Sequence, residues 1–401
     1  MGQVIDVVGI GSAGWAELGS TARTALSAAA VVLGSERQLA LLPGDLRAER
    51  VPFPHPLLPG LIELVERHSD RGLVVLASGD PSWHGLATTL GLALGWDAVR
   101  IHPAPSSLSL ACARLGWPAQ DVSTVSLLTG ELPTLVAALQ PGRRLLVLLP
   151  TPADLSAVSD LLRSNGFGAS SLTLLADLGG PDESVRRGLA DDPPGPAGRT
   201  AVAAVECRVT ADTTWWPTTA GLPDEAFEHD GQLTKRDLRA SALSRLGPAP
   251  GQLLWDVGAG AGSVGIEWMR HHPTCRAIAV ERDSERADRL QRNASRLGVP
   301  GLQVVCGSAP RALAGLAVPD AVFVGGGATT SGLLDACWDA LTSGGRLVVH
   351  AVTAESEAAL VSRRAALGGE LVRIGVEHLE PLGGFSGWRP ARAVTQWAVA
   401  R

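Results

Sequence analysis

Asp256, Gly258, Gly260 and Gly262 fall at alternate positions of the run Asp256-Val257-Gly258-Ala259-Gly260-Ala261-Gly262, directly after the apolar stretch Leu253–Val257. Glycines spaced this way let the main chain lie against a small ligand where side chains would block it, and a turn of this kind after a buried strand marks a nucleotide-type site. The dinucleotide spacing would need glycine at 263, where the chain has Ser263. The pattern therefore suits a ligand with no pyrophosphate to cradle. Glu281 closes the next apolar run, where its two oxygens can accept both hydroxyls of a ribose. Gly307-Ser308-Ala309 follows the third run, and Gly325-Gly326-Gly327 the fourth. Such features at successive strand ends describe one crevice at the carboxyl edge of an α/β sheet. Asp256, Gly258, Ala259, Gly260, Ala261, Gly262, Glu281, Ser308 and Ala309 are its candidate cofactor wall, and Gly325 to Gly327 its candidate substrate mouth.

A second, unlike turn lies near the start: Val7-Val8-Gly9-Ile10-Gly11-Ser12-Ala13-Gly14. Gly9-x-Gly11-x-x-Gly14 formally fits the dinucleotide fingerprint, but no acidic residue closes the next apolar run, and Glu36 lies past Gly34-Ser35. Further on, Ser78-Gly79-Asp80-Pro81 ends the run Leu73–Ala77, and Pro105-Ser106-Ser107 opens an alanine-rich helix. Small residues there admit a ligand, and a loop carboxylate such as Asp80 can bind an amino group. Each piece also has an ordinary reading: Gly-Asp-Pro is a common turn string, and Ser106 or Ser107 is a ready N-cap.

These residues need elements to hold them. Val4–Val8, Val31–Leu33, Leu73–Ala77, Val99–His102, Val125–Leu128, Leu145–Leu149, Leu172–Ala176 and Ala201–Glu206 read as strands, with helix-like stretches between many of them. Gly179 to Gly198, rich in Gly, Pro and Asp, reads as a long internal loop. Arg208 to Gly231 shows no period and reads as a linker, dividing the chain into domains 1–207 and 232–401. In the second domain a helix over Lys235–Leu246 precedes strands at Leu253–Val257, Ala277–Glu281, Leu302–Val305, Ala321–Val324 and Arg346–His350. Two β-like runs, Leu371–Glu377 and Val394–Ala400, end the chain. The order fits a doubly wound sheet closed by a terminal hairpin.

Composition narrows the chemistry. A chain of 401 residues allows two or three domains. Its net charge of -6 supplies no basic field for nucleic acid, so none is expected as a partner. No apolar run is long enough to span a bilayer, and the start lacks the pattern of a secretory signal. Five cysteines without a C-x-x-C pair suggest reduced thiols and a cytoplasmic protein, with no metal site. Glu267 with His271-His272 lacks metalloprotease spacing, and a helix C-terminus explains those histidines better.

An acidic residue followed by G-x-G-x-G resembles the first motif of S-adenosylmethionine methyltransferases. Gly231-Gln232-Leu233-Thr234-Lys235-Arg236-Asp237-Leu238-Arg239 and Phe323-Val324-Gly325-Gly326 resemble the entry helix and F-x-G-G motif of the precorrin decarboxylating methyltransferases. That resemblance implies Thr234 over the cofactor, and Lys235, Arg236 and Arg239 meeting substrate carboxylates. The bland alternative is a solvated helix capped by Thr234. Where that family carries Asn-Pro-Val near its end, the chain reads Arg392-Ala393-Val394-Thr395. The first half resembles the tetrapyrrole methylases through Gly79-Asp80-Pro81, Ser106-Ser107, the segment Gly34–Leu42 and Gly179-Gly180-Pro181-Asp182-Glu183, with Ser12-Ala13-Gly14 departing from their Pro-Gly-Asp. The implied fold is a two-lobed tetrapyrrole methylase domain followed by a Rossmann-like class I methyltransferase domain. Gly9, Gly11, Gly79, Asp80, Pro81, Ser106 and Ser107 would line a first S-adenosylmethionine site, and the second glycine turn a second one. The implied substrate is an anionic modified tetrapyrrole, methylated at two carbons and decarboxylated in cobalamin biosynthesis by a homo-oligomeric enzyme. Three rivals stay open: a first half that only binds, a second half acting on RNA or another small molecule, and a nicotinamide enzyme using the first turn.

Overall fold

Short runs of Val, Leu, Ile and Ala become strands buried on both faces, as parallel sheets require. The computed structural model describes residues 4–57, 60–83, 85–210 and 213–401. It divides into two units, Met1–Leu132 with Pro141–Thr213, and Pro133–Gln140 with Thr214–Arg401.

The first unit holds two sheets. One comprises β1 (Ile5–Ile10), β2 (Val31–Gly34), β3 (Glu49–Pro52), β4 (Leu73–Ser78) and β5 (Val99–His102) in the order β3-β2-β4-β1-β5, with every pairing parallel. Val7, Leu33 and Val75 fill one face, and Val8, Val32 and Leu76 the other. The other sheet comprises β6 (Val122–Ser126), β7 (Arg144–Leu149), β8 (Ser171–Ala176), β9 (Ser184–Leu189) and β10 (Ala201–Glu206), ordered β6-β7-β10-β8-β9, and only β6 and β7 run parallel. The reading of 179–198 as a loop is corrected here, because β9 lies within it and pairs with β8 along its whole length. As an edge strand with Arg186 and Arg187 both exposed, on opposite faces, it shows no apolar pattern.

The second unit carries β11 (Leu253–Val257), β12 (Arg276–Glu281), β13 (Gln303–Cys306), β14 (Ala321–Val324), β15 (Arg346–Ala351), β16 (Glu370–Ile374), β17 (Glu377–Leu382), β18 (Phe385–Pro390) and β19 (Val394–Ala400). Seven of these form one sheet, β13-β12-β11-β14-β15-β19-β16. Its first five strands are parallel, while β19 runs antiparallel to both neighbours. Chain order reverses at β11, between β12 and β14, so the switch point that attracts ligands in such sheets lies at the carboxyl end of β11. β17 and β18 form a separate antiparallel hairpin.

Part of the expected linker is packed into the core. Leu222, Ala226 and Phe227 are buried against the helices Arg236–Leu246 and Ser263–His271. The N–H groups of Gly221 and Leu222 donate to the Glu267 carboxylate at 2.6 and 3.0 Å. Prolines and glycines erase the periodicity there without removing the packing. Four cysteines are buried and Cys306 is exposed. Among the described residues no helix is long and apolar enough to cross a membrane, and no cluster of His, Cys, Asp and Glu could hold a metal ion.

Candidate active site

Glu281 organises the second unit's crevice. It ends β12, is nearly buried, and accepts the Gly260 N–H at 2.8 Å on one oxygen and the Asp283 N–H at 3.0 Å on the other. Each carboxylate oxygen keeps acceptor capacity beyond these bonds. The glycine turn is held to the same strand, since the N–H groups of Gly258 and Ala259 donate to Val280. Gly258, Gly260 and Gly262 all have positive φ, a backbone that other residues adopt at a cost. Gly260 is tighter still, because a Cβ there would stand 2.7 Å from the Gln232 carbonyl oxygen. The segment carrying Thr234 is thus brought against the turn. It is anchored by Asp230, whose carboxylate lies 2.8 Å from Arg286 and 3.3 Å from Arg289 and is held well below the usual carboxylate range, mainly by the bond from Arg286. Gly325 and Gly326 abut Gly258 from β14, and the Gly307 N–H donates to the Glu281 carbonyl at 2.8 Å, drawing Ser308 and Ala309 in from β13. Asp256, Gly258 to Gly262, Glu281, Ser308, Ala309 and Gly325 to Gly327 therefore share one end of the sheet.

Asp256 is the electrostatic oddity. It is buried, takes the Gly265 N–H at 2.9 Å on one oxygen, and leaves the other without a partner. Burial pushes its carboxyl up to about 7, with the nearby Glu281 charge adding to the rise. An unpartnered buried acceptor at the head of the turn, a buried carboxylate at the end of the next strand and three positive-φ glycines suit a cationic ligand with hydroxyls to donate. They fit S-adenosylmethionine.

The three basic candidates separate. Lys235 is half exposed, 3.2 Å from Asp224. Arg236 is exposed and makes no ion pair among the described residues. Arg239, expected to clamp substrate, is corrected: it is fully buried, bonded through Nε to Glu267 at 2.5 Å and through its other nitrogens to the carbonyls of Leu222 and Thr234, over the Phe227 ring. Its charge is committed to holding the 221–234 segment. Thr234 does not cap the helix either. Lys235 holds the N-cap position, and Asp224 accepts the Arg236 N–H at 3.0 Å from outside. Glu267, set aside as part of a metal pattern, is the residue whose importance the sequence hid.

In the first unit, the loops after β1, β4 and β5 converge. The Gly79 N–H donates to the Ile10 carbonyl at 3.0 Å, and a Cβ on Gly9 would stand 2.3 Å from the Gly79 oxygen. Gly79 has φ +61° and lies against Pro105 and Ser106. Gly11 faces open space. Asp80 is half-buried and accepts the Ser82 N–H at 2.8 Å, while Pro81 is buried. Ser106 is the N-cap of helix Ser107–Leu115, accepting from Ser109, which is its ordinary reading. The helix expected of a dinucleotide fold does not open at Gly14. A short 3-10 turn follows, and the first α-helix starts at Ser20 behind Gly19. A pyrophosphate at this turn would meet no helix N-terminus.

Residues 4–194 match the tetrapyrrole (corrin/porphyrin) methylases, and residues 225–401 match the precorrin methyltransferase domain. The chain is 45% identical to a precorrin-6Y C(5,15)-methyltransferase (decarboxylating) of Sinorhizobium sp, over 98% of this chain and 95% of that one. The chain belongs to this family. A second member, from Mycobacterium tuberculosis, is 44% identical over 99% of this chain and 100% of its own. The solved C-terminal domain of the Rhodobacter capsulatus member is 43% identical, covering 46% of this chain and 100% of that one, with a TM-score of 0.44. Family members of this kind are methyltransferases, and the present protein is an enzyme of that class, which implies use of S-adenosylmethionine.

Proposed function

We propose that the enzyme methylates precorrin-6B at C-5 and C-15 and removes the C-12 acetate carboxyl, giving precorrin-8 in cobalamin biosynthesis. The observation that carries this reading is the convergence of the Glu281 carboxylate, the Gly258–Gly262 turn and the Gly325–Gly327 loop at the switch point of one sheet. The names and full-length coverage of the relatives extend it to the substrate. We assign two S-adenosylmethionine sites, one per unit. Gly11, Gly79 and Asp80 would line the first. Glu281, Asp256 and the second glycine turn would hold the other.

When bound, the cofactor supplies an electrophilic methyl on a sulfonium. The protein's task is to align that methyl with a nucleophilic, enamine-like ring carbon and to exclude water. Glu281 would orient the ribose, and the unpartnered oxygen of Asp256 would accept a hydrogen bond from the bound cofactor. No nucleophilic side chain is required, because the new C–C bond forms from the ring's own electron pair as the C–S bond breaks. Loss of the acetate carboxyl as carbon dioxide sends its bonding pair into the conjugated ring. Lys235 and Arg236, turned outward at the helix start, would hold other carboxylates of the substrate. Mass analysis of one turnover with precorrin-6B tests the reading. Two added methyls and one lost carbon dioxide are expected, and a product with a single methyl overturns half of it.

A further inference from the structure

The hairpin of β17 and β18 stands outside the seven-stranded sheet and carries large exposed side chains. Its register sorts them. Leu379 faces Trp388, Pro381 faces Ser386, and Glu377 faces Pro390, which puts Leu379, Pro381, Trp388 and Pro390 on one face. His378, Glu380 and Arg389 lie on the other, where Arg389 and Glu380 neutralise each other at 3.1 Å, with Leu382 and Phe385 at the tip. The first face is apolar through its middle, with the exposed Glu377 at its base and Ser386 toward the tip, and it is open: Leu379 is 58% exposed and Trp388 68%.

The hairpin's place follows from strand pairing. β16 ends at Ile374 opposite Val394, and Thr395 lies opposite Ala351 at the end of β15. It therefore leaves the sheet at the carboxyl edge of β15, the same edge that bears the glycine turn and Gly325 to Gly327. From β14 to β19 is two strand spacings, roughly 10 Å. A second copy of the chain suits this face poorly. Pro381 and Pro390 interrupt strand addition along both edges. The four apolar side chains offer a few hundred Å² at most, short of the roughly 800 Å² per partner that a stable protein interface buries.

We propose that this face is a platform for the conjugated part of the tetrapyrrole, with the Trp388 indole stacked on it during the C-15 methylation and decarboxylation, steps we assign to the second unit. The proposal rests on the tetrapyrrole reading above. Trp388 acts by positioning, so its loss should raise KM while leaving the chemistry intact.

The test uses the full-length enzyme, precorrin-6B, and carbon dioxide release as the readout specific to the C-15 step. W388A should raise KM for the tetrapyrrole about tenfold, with kcat and S-adenosylmethionine affinity changed less than about twofold, and W388F should recover most of the loss. An unchanged KM in W388A, beside an active wild type, overturns the platform alone. So does a KM change accompanied by a changed sedimentation mass, which would make the face a self-association surface. A wild type that neither methylates nor decarboxylates precorrin-6B overturns the functional reading, and the platform with it.

Discussion

The unpartnered oxygen of Asp256 sits beside the buried charge of Glu281, and the two make opposite predictions on substitution. Asp256 has its carboxyl raised to about 7 by burial, against 3.8 for a free one. Below about pH 4 folded and unfolded chains both hold the proton. Between there and pH 7 the unfolded chain releases it more readily, so folding stability falls as pH rises through that window, by at most about 4 kcal/mol. D256N has no such proton to lose. Its denaturant midpoint, measured without cofactor from pH 4 to 7, should decline less than that of the wild type, and parallel curves would refute the assignment. Glu281 instead uses its charge on Gly260, on Asp283 and, in the reading above, on a ribose. E281Q should weaken S-adenosylmethionine binding to the second unit at least about tenfold while the first site still binds. Calorimetry should then show one tight event where the wild type shows two.

At the scale of the element, the entry helix Arg236–Leu246 separates structural from functional cations. Arg239 is buried with Glu267, and removing one partner of such a pair strands the other. R239A should cost about 3–5 kcal/mol of stability. K235A and R236A, at exposed positions, should cost less than about 1 kcal/mol and instead raise KM for the tetrapyrrole. Chemical denaturation beside steady-state kinetics checks both halves of this expectation. The sequence held the clue: Arg239, Ala242, Leu243 and Leu246 fall at i, i+3, i+4 and i+7, the stripe that faces a core. The three basic residues nevertheless look alike when only their types are read. The same contrast runs through the fold. β11, β12, β14 and β15 were legible because parallel strands covered on both faces are continuous apolar runs. β9, β17 and β18 were not, since each exposes most of its side chains and so lacks the signal that burial writes into a sequence. The glycine turns and Glu281 stood out because close backbone approach restricts residue type. The 221–234 segment did not, because its contacts are made by main-chain groups.

Across the whole molecule, the expected boundary at 232 cuts through packed structure. A fragment of residues 214–401 retains Leu222, Ala226 and Phe227 and the bonds to Glu267, and should melt cooperatively. A fragment of 232–401 exposes that part of the core, leaves the buried Glu267–Arg239 pair short of partners, and should aggregate or melt without a sharp transition. Differential scanning calorimetry of the two distinguishes them. The thiols offer a different handle on the full chain. Burial pushes Cys337 up to about 12 and raises Cys112 and Cys275 as well, so none of these reacts readily. Cys306 is exposed and pairs in register with Glu281, beside the carboxylate proposed to hold the ribose. A small alkylating reagent thus meets one exposed thiol among the described residues, in an enzyme with two proposed cofactor pockets. Protection of that sulfur by cofactor would give the occupancy of one pocket without a mutation, a fused tag or separation of the halves.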